Sequence, residues 1–480
     1  MFSIKKIFAR LSHSVFARNW SMLFLSGFFS QVLGMVALIR VARILMPAGY
    51  GKFNLVQSIA SIGFIIASLG FRQVIIRESA RYPEKSSSIL FSSLIIRVIS
   101  GVITAFGVLI YIYFANNGLT FSFAYIAIVL LGGQLLWDSV ESIAFGHQRM
   151  QHSSSINMAG SVLWVIMVWI VPAWLLTPLI VSAAFAFLQL FKAGIYFIVG
   201  KKYRLYQFLI LPGDVFGNIR SLISGSLPFY WLALLTSVTN QIPILLLAQR
   251  SGSAEVGLYN IGFRLLNPLQ MLIQTAIVAL YPMLAKYERS QIEQFMKMVK
   301  RALIGLCVIG TISALAISLI RTEVVVVLFG KGYLPSADAM MYQCWYTLIY
   351  AIFCLIGTVL AARDKQRWLA WLSTVYAIIT MPILWYASAS GAKGLAIGIV
   401  IAAILNFTYH WYYFEKSLPA KLPLKYLASI VALIGSGMVL SWSIPVSVPF
   451  ILRLMIFSTL VFSTVGIVIK YPSLARSLYS

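Results

Sequence analysis

Apolar residues run through this chain in long unbroken stretches, separated by short gaps in which Lys and Arg collect. About 14 such stretches can be delimited, at 20–44, 53–71, 89–113, 122–146, 156–176, 178–199, 222–248, 257–283, 302–321, 337–361, 368–388, 394–414, 424–442 and 449–469. Each is about as long as an α-helix must be to cross a hydrocarbon core of roughly 30 Å. The runs are continuously apolar rather than alternating, which predicts spanning helices and excludes a β-barrel. The expected fold class is therefore an all-α polytopic membrane protein with about 14 transmembrane helices. No gap is long enough to hold an extramembrane domain.

Two gaps are larger than the rest, 201–221 and 285–301. The first divides the chain into an N-lobe at 19–200 (spans one to six), a linker at 201–221 and a C-lobe at 222–415 (spans seven to twelve). A final pair of spans and a terminal segment occupy 416–480. Ahead of span one, residues 1–18 read as a short amphipathic helix, with Ile4, Ile7, Phe8, Leu11 and Val15 opposite Lys5, Lys6, Arg10 and His13. The lobes share a signature. Pro47-Ala48-Gly49-Tyr50-Gly51-Lys52-Phe53-Asn54 resembles Ser253-Ala254-Glu255-Val256-Gly257-Leu258-Tyr259-Asn260, each after one apolar run and opening the next. Such a repeat predicts a duplicated architecture, with Gly51 and Gly257 serving tight loops that enter helices.

Composition agrees: 60% of the 480 residues are hydrophobic and 10% charged. A net charge of +25 would suggest nucleic acid in a soluble protein, but these charges lie between spans, so topology absorbs them and no nucleic-acid partner is expected. With both termini inside, cytoplasmic segments carry roughly 26 Lys and Arg against about 7 outside. The inside set includes Arg72, Arg77, Arg81 and Lys85. Cys307, Cys344 and Cys354 fall in apolar runs without metal-type spacing, and the four histidines form no cluster, so neither a metal nor a cofactor is expected. Enzymatic readings fail on inventory, because no phosphate-cradling loop, paired ligands or nucleophile constellation is present.

Some ionisable residues remain inside predicted spans: Arg40, Arg43, Arg97, Asp138, Glu141, Lys192, Arg264 and Arg453. Arg43 and Arg453 lie near span ends, where snorkelling accounts for them, and Arg40 is about a turn further in. Arg97, Asp138 and Lys192 lie roughly 10–12 Å deep, and Glu141 shares the helix face of Asp138. Two readings stand side by side: an ion-paired layer that locks the N-lobe, and a water-filled, net-positive cavity for an anionic ligand with Asp138 and Glu141 tuning or coupling it. Arg264 would be the C-lobe's cationic contact. In span seven, Asn240, Gln241 and Pro243 mark a polar helix break, either lining a site or bonding between helices.

The ordered motifs then carry a resemblance. Arg43-Ile44-Leu45-Met46-Pro47-Ala48-Gly49-Tyr50-Gly51, Leu69-Gly70-Phe71 leading to Arg77-Glu78, and Glu255-Val256-Gly257-Leu258-Tyr259-Asn260 resemble the Wzx-type polysaccharide flippases of the MATE-like (MOP) exporter superfamily. Leu328-Phe329-Gly330-Lys331-Gly332-Tyr333 and Gly391-Ala392-Lys393-Gly394-Leu395-Ala396 fit as well. The resemblance implies two six-helix lobes around a central cavity plus two C-terminal helices. It implies a multi-pass protein of the bacterial inner membrane that moves undecaprenyl-pyrophosphate-linked oligosaccharide, such as an O-antigen unit, to the periplasmic leaflet by alternating access. Implied partners are the lipid bilayer, that glycan, and a polysaccharide polymerase with its chain-length regulator. On this reading Arg97, Lys192, Arg264 and Arg40 bind the substrate, while Asp138 and Glu141 couple or pair. An ion-coupled drug exporter of the MATE type and a non-transporting synthase scaffold are the alternatives. Many relatives have an acidic residue where this chain has Asn240 and Gln241, which weighs against ion coupling through span seven.

Overall fold

A computed structural model describes residues 15–115, 118–206, 212–420, 424–444, 448–449, 451–453 and 455. The amphipathic segment expected at 1–18 and the span expected at 449–469 lie almost wholly outside these residues. The protein is all-helical, with ten stretches among the described residues long and apolar enough to cross a membrane. These ten carry the first twelve predicted spans, because Leu25–Ser68 and Arg367–Ser417 each hold two. The chain forms two compact units, Met1–Gly257 and Leu258–Ser480. The boundary lies beyond the linker expected at 201–221, so the helices of span seven group with the first unit.

In the first unit, α1 (Val15–Ser68) is two helices joined at Met46, whose φ of 56° and ψ of 172° are not helical. Pro47 explains the break, since the residue before a proline is pushed out of the α region. A second break at Leu69 and Gly70, both with positive φ, sets off the short α2 (Phe71–Arg81). Glycine is required at position 70 twice over, because a Cβ there would also lie 2.6 Å from the backbone nitrogen of Tyr230. Then come α3 (Ser86–Phe114), α4 (Phe121–Gly146), α5 (Met150–Ile170) and α6 (Pro178–Lys202). The tight passage from α5 to α6 is shaped by Thr177, which caps α6 by accepting from the Ile180 backbone at 3.3 Å, and by Pro178 at the first helical position. Beyond α6, the Tyr206 hydroxyl donates to the Phe197 carbonyl at 2.6 Å, and burial pushes its phenol up to about 12.

Span seven is interrupted where its proline stands. Helix α7 (Pro212–Asn240) stops, Gln241 takes φ −112°, and α8 (Ile242–Ser251) starts afresh with Pro243 in its first turn. Proline has no N–H to give to the preceding turn, so the ladder is broken there. A buried apolar cluster that includes Phe71, Val74, Ile75, Leu90, Ile143 and Tyr196 ties α2, α3, α4 and α6 together. Outside it, α3 exposes Val98, Val102, Ile103, Phe106 and Ile110 as a continuous apolar face, which suits lipid and would be a liability in water.

The second unit runs through α9 (Ser253–Ser290, entering from the first unit), α10 (Ile292–Phe329), α11 (Ser336–Ala362), α12 (Gln366–Ala387), α13 (Gly391–Ser417) and α14 (Leu424–Ser443). Its core packs Phe295, Leu303, Ile352, Ile356, Leu372, Trp411 and Phe414.

Gly51 and Gly257 do not act as the sequence suggested. Neither has a positive φ. A Cβ on Gly51 would lie 1.6 Å from the Ser253 carbonyl oxygen, and one on Gly257 would lie 2.1 Å from the Pro47 carbonyl oxygen. The two similar motifs therefore cross each other, backbone against backbone. The glycines serve close approach rather than tight turning.

Candidate functional site

Asp138 and Glu141, three residues apart on one face of α4, gather four other helices of the first unit. Arg97 of α3 is almost completely buried, at 1% exposure. It donates to Asp138 Oδ2 at 2.8 Å, to Ser139 Oγ at 2.6 Å and to the Leu135 carbonyl at 3.0 Å. All three acceptors belong to α4, so Arg97 clamps α3 onto it. Arg72, at the start of α2, reaches both carboxylates: one guanidinium nitrogen meets Asp138 Oδ1 and the other lies 2.7 Å from Glu141 Oε2. From α6 the Tyr196 hydroxyl donates to Glu141 Oε1 at 2.8 Å, and from α5 Asn157 Nδ2 donates to the same oxygen at 3.1 Å.

Lys192 stands apart from this pairing. Its ammonium lies 3.6 Å from the centre of the Trp137 ring and 5.9 Å from that of Tyr196. Among the described residues no carboxylate comes within ion-pair reach of it, and its side chain is half-buried. The cluster thus holds three cations (Arg72, Arg97, Lys192) and two carboxylates, an excess of one positive charge. Cation–π contact is worth about 0.5–2 kcal/mol, too little to neutralise an ammonium as a carboxylate would. Within this arrangement Arg97 is sealed, with both terminal guanidinium nitrogens bonded to α4, whereas the Arg72 side chain keeps 34% exposure. The groups able to meet an incoming anion are Lys192 and Arg72.

The sequence reading missed Arg72, Tyr196 and Asn157. Arg72 was absorbed into the cytoplasmic set with Arg77 and Arg81. A signal was available: residues 72, 75 and 79 fall on one helical face, and Ile75 and Ser79 are buried, whereas Arg77 and Arg81 lie off that face and are exposed.

The remaining candidates sit elsewhere. Arg40 of α1 donates to the Val171 carbonyl at 3.1 Å with Trp169 4.9 Å from its guanidinium, so it fastens α1 to the end of α5. Asn240 is exposed at the end of α7, Gln241 is half-buried at the break and Pro243 is buried. Arg264 is exposed on α9 in the second unit. Arg453, also in that unit, is not a snorkelling residue. It is buried, bonds the Glu323 carboxylate, and donates to the Leu319 carbonyl at 2.6 Å and the Val448 carbonyl at 2.9 Å. Nearness to a span end had suggested water as its partner. The tertiary fold supplies protein instead.

Residues 16–288, more than half of the chain, match the family described as polysaccharide biosynthesis protein. The chain belongs to that family. Its fold is similar to that of the lipid II flippase MurJ in an inward closed conformation, with 13% identity, a TM-score of 0.70 and coverage of 93% of this chain and 98% of that one. It is also similar to an inward-facing multidrug resistance MATE transporter of the MOP superfamily, at 16% identity and TM-score 0.61, covering 81% of this chain and 95% of that one. The Vibrio cholerae MATE transporter VcmN follows at 16% identity and TM-score 0.54, covering 85% and 97%. No curated protein sequence matches the chain. A polysaccharide-biosynthesis family and a MATE-like fold, both read from the ordered motifs, are therefore upheld. Identities this low carry the fold and not the substrate.

Proposed function

We propose that this protein is a flippase for a lipid-linked oligosaccharide whose head carries a pyrophosphate, moved from the cytoplasmic to the outer leaflet of the bacterial inner membrane by alternating access. The observation that carries the reading is the net positive charge of the α2–α6 cluster, with Lys192 outside its direct ion pairs. An ammonium held against aromatic rings in a membrane span is costly unless it meets protein, water or an anion, and a pyrophosphate offers two charges to Lys192 and the exposed part of Arg72. Membership of a polysaccharide biosynthesis family supports a glycan cargo, and the motif resemblance extends this reading to an O-antigen or other surface-polysaccharide unit. On this reading the termini are cytoplasmic, and a polysaccharide polymerase with its chain-length regulator takes the product.

The experiment is transport in proteoliposomes of a fluorescent polyprenyl-pyrophosphate-linked oligosaccharide. Lys192→Gln is expected to lower the flipping rate at least tenfold while the thermal unfolding midpoint falls by no more than a few degrees, the worth of the lost cation–π contact, since no ion pair is broken. An unchanged rate would remove the headgroup role. Equal flipping of a neutral polyprenyl-linked glycan by both proteins would remove the anionic cargo.

A further inference from the structure

Four polar atoms around the seam between α4 and α6 are buried without a hydrogen-bond partner among the described residues: Gln134 Oε1 and Trp137 Nε1 on α4, Gln189 Oε1 on α6, and Asn157 Oδ1 on α5. They are not scattered. Gln134, Trp137, Asp138 and Glu141 recur at spacings of three and four, and so share one face of α4; Gln189, Lys192 and Tyr196 repeat the pattern on α6. Gly133 sets the two rows level, since a Cβ there would lie 3.0 Å from the Gln189 carbonyl carbon. Trp137 stacks on Tyr196 at 6.1 Å and carries Lys192 over its ring. Two helices that need only pack would place leucine or alanine at such positions. Unpaired amide oxygens and an indole N–H in a membrane span are a cost without a structural return.

We propose that this row is a glycan subsite, and that Gln134, Trp137 and Gln189 determine which sugar is accepted. The proposal rests on the headgroup reading given above and extends it. A sugar hydroxyl both donates and accepts, so one ring can give hydrogens to the amide oxygens and take one from the indole. Charged cargo would meet no counter-charge at these neutral groups. Gln189 lies one turn, about 4.5 Å along the axis, from Lys192, so a sugar there adjoins a phosphate held by the ammonium. Both glutamine side chains are half-buried, and on binding their amides turn toward the hydroxyls. A site built to hydrogen-bond a hydroxyl rejects analogues lacking it far more strongly than an apolar pocket does, because its own buried groups are left unpaired.

The test compares two probes on the purified full-length protein: a bare polyprenyl pyrophosphate, and the same lipid carrying one N-acetylglucosamine. The parent is expected to bind the glycosylated probe at least tenfold more tightly. Gln134→Leu combined with Gln189→Leu is expected to erase that preference and leave bare-lipid binding unchanged. Its unfolding midpoint should stay level or rise, because apolar groups replace unpaired polar ones. Trp137→Phe, which keeps the ring under Lys192, should lose part of the preference. A lower midpoint with equal weakening of both probes would make the row structural and overturn the subsite. So would retention of the preference in the double variant, or its absence from the parent. If the parent binds neither probe, the headgroup reading falls as well; if Lys192→Gln weakens both probes while the glutamine variant changes nothing, that reading stands and only the subsite fails.

Discussion

Arg97→Ala is expected to destabilise the first unit by about 3–5 kcal/mol, the usual consequence of removing one partner of a buried ion pair. The guanidinium is sealed at 1% exposure and makes every one of its described bonds to α4. Its loss leaves Asp138 with Arg72 alone and a void between α3 and α4. Unfolding in detergent, followed by the shift in midpoint, reads the effect. A second variant separates clamp from contact: adding Asp138→Asn to Arg97→Ala should recover part of the loss, because a neutral amide tolerates the missing guanidinium better than a carboxylate does. A coupling of about 0.5–3 kcal/mol is the normal range for groups in direct contact. If Arg97→Ala unfolded like the parent yet failed to transport, Arg97 would be a cargo contact and not a clamp. Lys192→Gln is expected to show the opposite pattern, with lost transport and little loss of stability.

Gly51→Ala is expected to prevent folding outright. A methyl group 1.6 Å from the Ser253 carbonyl oxygen has no room, and the neighbour is backbone that cannot rotate aside. Gly257→Ala meets the Pro47 carbonyl oxygen at 2.1 Å and should fail likewise. Gly132→Ala is the control: nothing lies within 4 Å of its Cβ position, and alanine favours a helix by about 1 kcal/mol over glycine. Yield of monodisperse protein after detergent extraction distinguishes the three. Normal yield of the Gly51 variant would show that the two motifs do not cross as described.

These contrasts show where sequence reasoning stops. Arg97 and Lys192 are alike as sequence, each a lone cation about equally deep in an apolar run, and both readings, ion-paired layer and anion site, were open for the pair. The fold separates the two. Arg97 faces the carboxylates of α4 and becomes a clamp, while Lys192, on α6, lies over aromatic rings with no carboxylate in ion-pair reach among the described residues. The residue that decides the matter, Arg72, looked like topology because loop basicity is the dominant signal at span ends. Arg453 shows the same effect in the second unit, where its partner Glu323 lies 130 residues away.

Span positions, the all-helical class, the break at Pro243 and the family motifs were all legible from the amino-acid sequence, because each depends on properties local to about twenty residues: apolar run length, the missing proline N–H, the composition of a loop. Even the kinks at Met46 and Gly70 have a local chemical cause in Pro47 and in a left-handed backbone. Only the tertiary structure decided which charges are answered, why Gly51 and Gly257 must be glycine, and which uncharged side chains are left unpaired beside Lys192. Those outcomes depend on which helix lies against which, and a helix presents several faces whose neighbours its own sequence does not name. Periodicity says that Gln134, Trp137 and Asp138 share a face; the packing of Gly133 on Gln189 says what that face meets.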